Sequence, residues 1–296
     1  MQHHIITALI GYRNYLVPLK RPKRVLDIGC GTGIWCLQMG MSVMQDDGST
    51  ANNDQLRSFQ RLEYATPIMF PIMELTCDRL KALIFLPYSP TCTASIPIQS
   101  CPVLTNHSTP DNVDFFIDDI RRKEWWHCTQ PYDYIHTRMS LGIFRDFREI
   151  IQKGFNNLDP GGWMESQELY PKVYFNEGIA PTNYELLEWS KLTDEAAMKL
   201  GMPLRIANKL KTWYEQAGFV DVREEVFSLP INTWPKDPQL KLLGRFQHMN
   251  MKDGVFAWTV EYFVKAFGWT PTEVEVYLAH LRTSLADKSV HAFYRV

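Results

Sequence analysis

The chain has 296 residues, 45% of them hydrophobic and 22% charged, which suits one large globular domain and excludes disorder as the default. A formal net charge of -2 offers no broad basic surface, so nucleic acid is not expected as a partner; the short runs 20–24 and 121–123 read as solvated loops. Apolar runs such as 82–86 fall far below the ~18 residues of a bilayer span, and the stretch 5–10 has no basic leader. The expectation is therefore a soluble protein with no membrane contact, in the cytoplasm, with the nucleus also open. Six cysteines without a CxxC pair or matching histidine spacing exclude a zinc site and a disulfide framework, and no metal is expected.

Taken in order, the apolar spacing predicts an amphipathic helix over 2–16, ending near Pro18. Arg24 to Ile28 reads as a buried strand that runs into Gly29, Cys30, Gly31, Thr32 and Gly33, and a helix starts at Ile34. Residues 41–104 are anomalous: they are rich in loop signals, Ala82 to Leu86 is their one convincing strand, and they read as an atypical, partly disordered insertion around a missing second strand. Strands are expected at 113–117 and 132–137, then a helix at 147–158, a breaker at Asp159, Pro160, Gly161 and Gly162, and a strand at 163–169. Helices follow at 183–201 and 204–218, a strand at 220–229, three helical stretches near 239–251, 255–267 and 272–285, and the start of a last strand at 291–296. Alternating strands and helices imply an α/β fold with a mostly parallel sheet, helices on both faces, and one domain over 1–296. Helices 183–217 and 238–286 are expected to form the lid of the substrate pocket.

The glycine turn is the chemical signature. Glycines let backbone approach a ligand closely, and the following helix offers unpaired amides to an anion. A dinucleotide fingerprint needs glycine where Ile34 stands, while Asp27 precedes Gly29 by two residues, so the D-x-G-x-G-x-G pattern favours a methyl donor over NAD.

The blocks RVLDIGCGTGIW at 24–35, NVDFFIDDI at 112–120, YDYIHTR at 132–138, LDPGGWMESQE at 158–168, AGFVDV at 217–222 and WPKDP at 234–238 resemble the class I S-adenosylmethionine-dependent methyltransferases, and within them the LaeA-like fungal group of secondary metabolism. The resemblance implies a Rossmann-like methyltransferase fold and S-adenosyl-L-methionine as cofactor. It also implies that Asp27, Gly29, Cys30, Gly31 and Gly33 hold the amino-acid end of the cofactor, while Asp119 and the backbone of Ile120 receive the adenine amino group. The family's acidic ribose contact has no counterpart: Asp54 has the spacing but ends no strand, and IPIQ at 96–99 aligns so that Ala94 stands where the carboxylate belongs. A second departure is expected at 291–296, where HAFYRV resembles the opening of the family's final antiparallel strand and then ends. The two departures together suggest a truncated or misassembled coding sequence, with noncoding sequence translated across 41–104.

Methyl transfer from a sulfonium is an in-line displacement that depends chiefly on positioning. His136, near the end of a strand, is the candidate base for a hydroxyl acceptor, and Arg138 the candidate to orient an acidic one; for both, local hydrogen bonding at the strand exit is the competing role. Trp125, Trp126, Trp163 and Trp213 are read as core before cavity lining. The expected function is methylation of a small-molecule acceptor. The alternatives are a LaeA-like regulatory protein that docks protein partners and a degenerate methyltransferase with weak or no cofactor binding.

Overall fold

The structure, a computed structural model, describes residues 1–20, 22–46, 73–76, 80–84, 112–117, 130–178 and 180–296. Most of the expected insertion at 41–104, together with Asp54, Ala94, Asp119, Ile120, Trp125 and Trp126, lies outside the described residues. The chain divides into two compact units: Met1–Tyr12, Leu141–Ile151 and Glu168–Val296 form one, and Arg13–Ser140 with Gln152–Gln167 form the other. No helix among the described residues is long and apolar enough to cross a membrane.

The second unit is built on a sheet. Strand β1 (Arg24–Ile28) is buried along almost its whole length, as an apolar run covered on both faces should be. Helix α2 (Ile34–Asp46) follows it, helix α1 (Gln2–Leu9) being part of the first unit. The other strands are β2 (Met73–Thr76), β3 (Leu80–Ile84), β4 (Val113–Ile117), β5 (Tyr132–Arg138) and β6 (Leu158–Gln167). Their order is β4-β3-β1-β5-β6, each neighbour parallel, and β2 pairs antiparallel with β1. With β1 central, the carboxyl ends of β1, β5 and β6 lie side by side, the usual ligand edge of such a sheet. Val25, Trp35, Cys36, Met39, Val113 and Tyr134 pack as the core of this unit.

The breaker expected between the helix and a strand starting at 163 lies inside the strand: the helix ends at Asn156 and β6 already begins at Leu158. The register of β5 on β6 slips between Tyr132, opposite Leu158, and Tyr134, opposite Trp163, so the extra residues form an irregularity inside one strand. Gly162 is needed there, because a Cβ would stand 2.9 Å from the Asp159 carbonyl and 3.1 Å from that of Asp133.

The first unit holds α3 (Phe147–Asn156) in part, strand β7 (Tyr170–Phe175), α4 (Glu185–Lys199), α5 (Leu210–Ala217), strand β8 (Ser228–Pro230), α6 (Pro238–Phe267), α7 (Pro271–Leu285) and strand β9 (Ala292–Arg295). Gly218 caps α5 at φ 106°, as expected. Several expectations are corrected. Helix α1 stops at Leu9, because Gly11 and Tyr12 both take positive φ. The strand expected over 220–229 shrinks to Ser228–Pro230: Asp221, Arg223, Glu224 and Glu225 are exposed and leave no apolar face to pair. The two helices expected between 239 and 267 are one helix of 30 residues. Gly254, which falls in the gap between the two expected stretches, is buried inside it, and a Cβ there would meet the Trp258 ring at 2.7 Å. The last strand, β9, belongs to a separate antiparallel sheet of order β7-β9-β8, where it is paired on both sides.

Candidate active site

At the carboxyl end of β1 the chain makes the bend that the glycines predict. Gly29, Gly31 and Gly33 have φ of 96°, 58° and 77°, a region that side chains disfavour. At Gly29 conformation rather than crowding excludes a side chain, since a Cβ would find its nearest neighbour, Ser140 Cβ, at an ordinary 3.8 Å. The Gly33 amide donates to the Cys30 carbonyl at 3.1 Å and closes the turn, and Leu37 N to Gly33 O, at 3.0 Å, is the first helical bond of α2. The amides of that first turn therefore lack helical acceptors, and no acidic residue of the turn competes for them.

Behind the bend sits a buried polar cluster. The Asp27 side chain is 2% exposed; its Oδ1 lies 2.7 Å from His136 Nδ1, and its Oδ2 accepts the Cys36 thiol at 3.2 Å. One carboxylate thus ties β1 to β5 and to α2. Burial, and then the Asp27 charge, push the Cys36 thiol well up, so it remains a protonated donor. The His136 ring is stacked on Trp35, with centroids 4.0 Å apart and planes 5° off parallel. It is fully buried, and its Nε2 has no hydrogen-bond partner among the described residues.

Beside this cluster, on β5 and β6, Arg138 Nε donates to Gln167 Oε1 at 2.8 Å. Burial lowers the Arg138 pKa to about 10, against the opposing pull of Asp27, Tyr134 and Glu165. Glu165 accepts from Leu16 N at 2.9 Å and from Tyr134 Oη at 3.2 Å. Gln167 Nε2 donates to Glu165 Oε1 at 2.7 Å and to the Asn14 carbonyl at 3.2 Å. Burial, followed by the Glu165 charge, holds the Tyr134 hydroxyl well above its ordinary range, which keeps it a donor.

The structure therefore brings Asp27, Gly29, Cys30, Gly31, Gly33, His136 and Arg138 into one unit around the end of β1. His136 does not stand as an exposed base. Its ring is enclosed by Trp35 and Asp27, which is the local hydrogen-bonding role. Trp163 packs against the core of the sheet unit, as read, and Trp213 is half-buried with the Arg148 guanidinium over its ring. Sequence reasoning missed Trp35, Glu165 and Gln167. Trp35 follows the glycine motif directly, and Glu165 and Gln167 alternate along a strand next to β5, a period-two signal pointing to one face.

A family model described as a methyltransferase domain matches residues 1–224. The chain belongs to this methyltransferase family. The methyltransferase pytC of Aspergillus terreus is 29% identical over 295 residues, 99% of this chain and 76% of that protein. The methyltransferase cpsF of Aspergillus campestris is 25% identical over 78% of this chain and 68% of its own length. The secondary metabolism regulator LAE1 of Cochliobolus heterostrophus is 22% identical over 92% and 74%. Among solved structures, YjhP of E. coli is 12% identical at a TM-score of 0.40, with 99% of each chain covered. The methyltransferase motif at 24–35 falls within the matched region, and so do both strands that carry the buried cluster.

Proposed function

We propose that the protein transfers a methyl group from S-adenosyl-L-methionine to a small-molecule acceptor, with the donor seated on the bend at 29–33. The observation that carries this reading is the bend itself: three glycines at positive φ lead into a helix whose first turn has no acid of its own. Such a cradle fits the carboxylate of the donor's methionine part. Bound there, the sulfonium supplies an electrophilic methyl group. The amides of Ile34 and Trp35 receive the carboxylate, and Gly29, Cys30, Gly31 and Gly33 provide close backbone approach. Asp119 and Ile120, which lie outside the described residues, take the adenine, as the resemblance implies.

Asp27 and His136 act by positioning. Each Asp27 oxygen is already engaged, and the pair fixes the bend against β5. Arg138, whose pKa of about 10 keeps it charged at neutral pH, is the group that orients an anionic acceptor. Displacement at the methyl carbon needs alignment first, and a phenol or acid that is ionised in solution needs no protein base.

Incubation with methyl-labelled donor and a panel of phenols, carboxylic acids and amines tests the reading. Label is expected on an anionic or phenolic acceptor, with less transfer in Arg138→Met. Donor binding without transfer to any acceptor would favour the regulatory reading, which the similarity to LAE1 supports.

A further inference from the structure

Residues 14–17 cross the carboxyl edge of the sheet unit and are held there by side chains rather than by a strand partner. Glu165 is the centre of that attachment. Its Oε2 accepts from Leu16 N at 2.9 Å, Val17 N at 3.3 Å and Tyr134 Oη at 3.2 Å, while its Oε1 accepts from Leu16 N at 3.2 Å and Gln167 Nε2 at 2.7 Å. Each of these four groups is a donor, so a side chain with acceptors on both arms fits. The Asn14 carbonyl, one step along, accepts from Gln167 Nε2 at 3.2 Å and from Trp35 Nε1 at 2.8 Å. Trp35 is the second residue of α2, the helix whose first turn offers amides to the donor, so the segment is fastened to the cradle itself.

Resting on the proposed donor site, we infer that Glu165 is a positioning residue for S-adenosylmethionine binding, which clamps residues 14–17 as a fixed wall beside the first turn of α2. Removing the clamp frees the Leu16 and Val17 amides and lets the segment leave the cradle's edge. Ordering it again on binding then weakens affinity, while the bound donor still reacts at its normal rate.

The test uses Glu165→Gln, which turns one arm of the clamp into a donor facing other donors. Three quantities are read: hydrogen exchange at Leu16 and Val17, the calorimetric Kd for S-adenosylmethionine, and kcat at saturating donor. The expected result is lost protection at both amides, a Kd raised about tenfold, and kcat within about twofold. Unchanged protection overturns the clamp; lost protection with an unchanged Kd overturns its role in donor binding. If Glu165→Gln does not fold, Glu165→Asp, which keeps the charge but draws the carboxylate one methylene back from the Leu16 and Val17 amides, is read by the same three quantities. Absence of saturable binding by the wild-type protein is a different result, which overturns the donor site and the inference with it.

Discussion

Replacing Asp27 by alanine should unfold the sheet unit more easily before it affects any ligand. The side chain is 2% exposed and joins His136 on β5 to Cys36 on α2, so its removal strands His136 Nδ1 in a ring whose Nε2 has no partner among the described residues. Breaking a buried hydrogen-bonded pair by deleting one member costs about 3–5 kcal/mol, a large part of the ~5–15 kcal/mol that stabilises a typical protein. For a unit of this size each kcal/mol shifts Tm by roughly 2–4 °C, so Asp27→Ala should lower Tm by about 6–20 °C. A double-mutant cycle with His136→Ala isolates the pair, and a coupling above about 1.5 kcal/mol is expected for partners in direct contact. Additive losses in calorimetric unfolding would refute the argument, because they would mean that the carboxylate and the imidazole do not depend on each other.

Other consequences follow from the same geometry. Gly244→Ala should destabilise by about 1–3 kcal/mol in urea unfolding, since the new Cβ would press on the Asn232 backbone carbonyl; Gly254→Ala, whose nearest neighbours are atoms of the Trp258 ring, should cost less because a side chain can shift where backbone cannot, helix propensity returning about 1 kcal/mol at both positions. Thr270→Ala removes half of the capping box at the start of α7 and should cost about 1 kcal/mol. The other half is pH-dependent. The Thr270 amide and hydroxyl, donating to Glu273, hold its carboxyl below the usual range. Its contribution is therefore complete above the unfolded value of about 4.3 and is lost as pH falls through the lower folded value, which helix-reporting dichroism of wild type against Thr270→Ala can follow.

The parts that were legible in the sequence are those whose cause is local. Arg24–Ile28, the glycine bend and the helix from Ile34 follow one another because apolar residues, missing side chains and an unpaired first turn each act within a few positions. Gly218 as a left-handed cap is legible for the same reason. The gap expected between 251 and 255 does not interrupt α6, where Gly254 is buried and leaves space for Trp258. Residues 159–162 mislead similarly: their turn chemistry is real, but β5 supplies pairing on either side and absorbs the extra residues.

The site's polar core was hidden for a different reason. That Asp27 faces His136 depends on the register of β1 against β5, which pairs Val25 with Tyr134 and so brings positions 27 and 136 opposite each other. No spacing along one segment reports such a relation. Glu165 and Gln167 become meaningful only when β6 lies beside β5 and residues 14–17 lie across both. Asp119 and Ile120, expected at the adenine, lie outside the described residues, as do Asp54 and Ala94, the positions weighed where the family's ribose carboxylate has no counterpart.

The central claim is that backbone amides at the end of β1 grip a charged methyl donor. Calorimetric titration of S-adenosylmethionine into the wild-type protein and into Gly31→Arg tests it most directly, because Gly31 has φ 58° and an arginine there strains the bend. The account predicts saturable binding by the wild type that disappears in a variant still folded by dichroism. Equal binding by the two proteins, or none by the wild type, would contradict it.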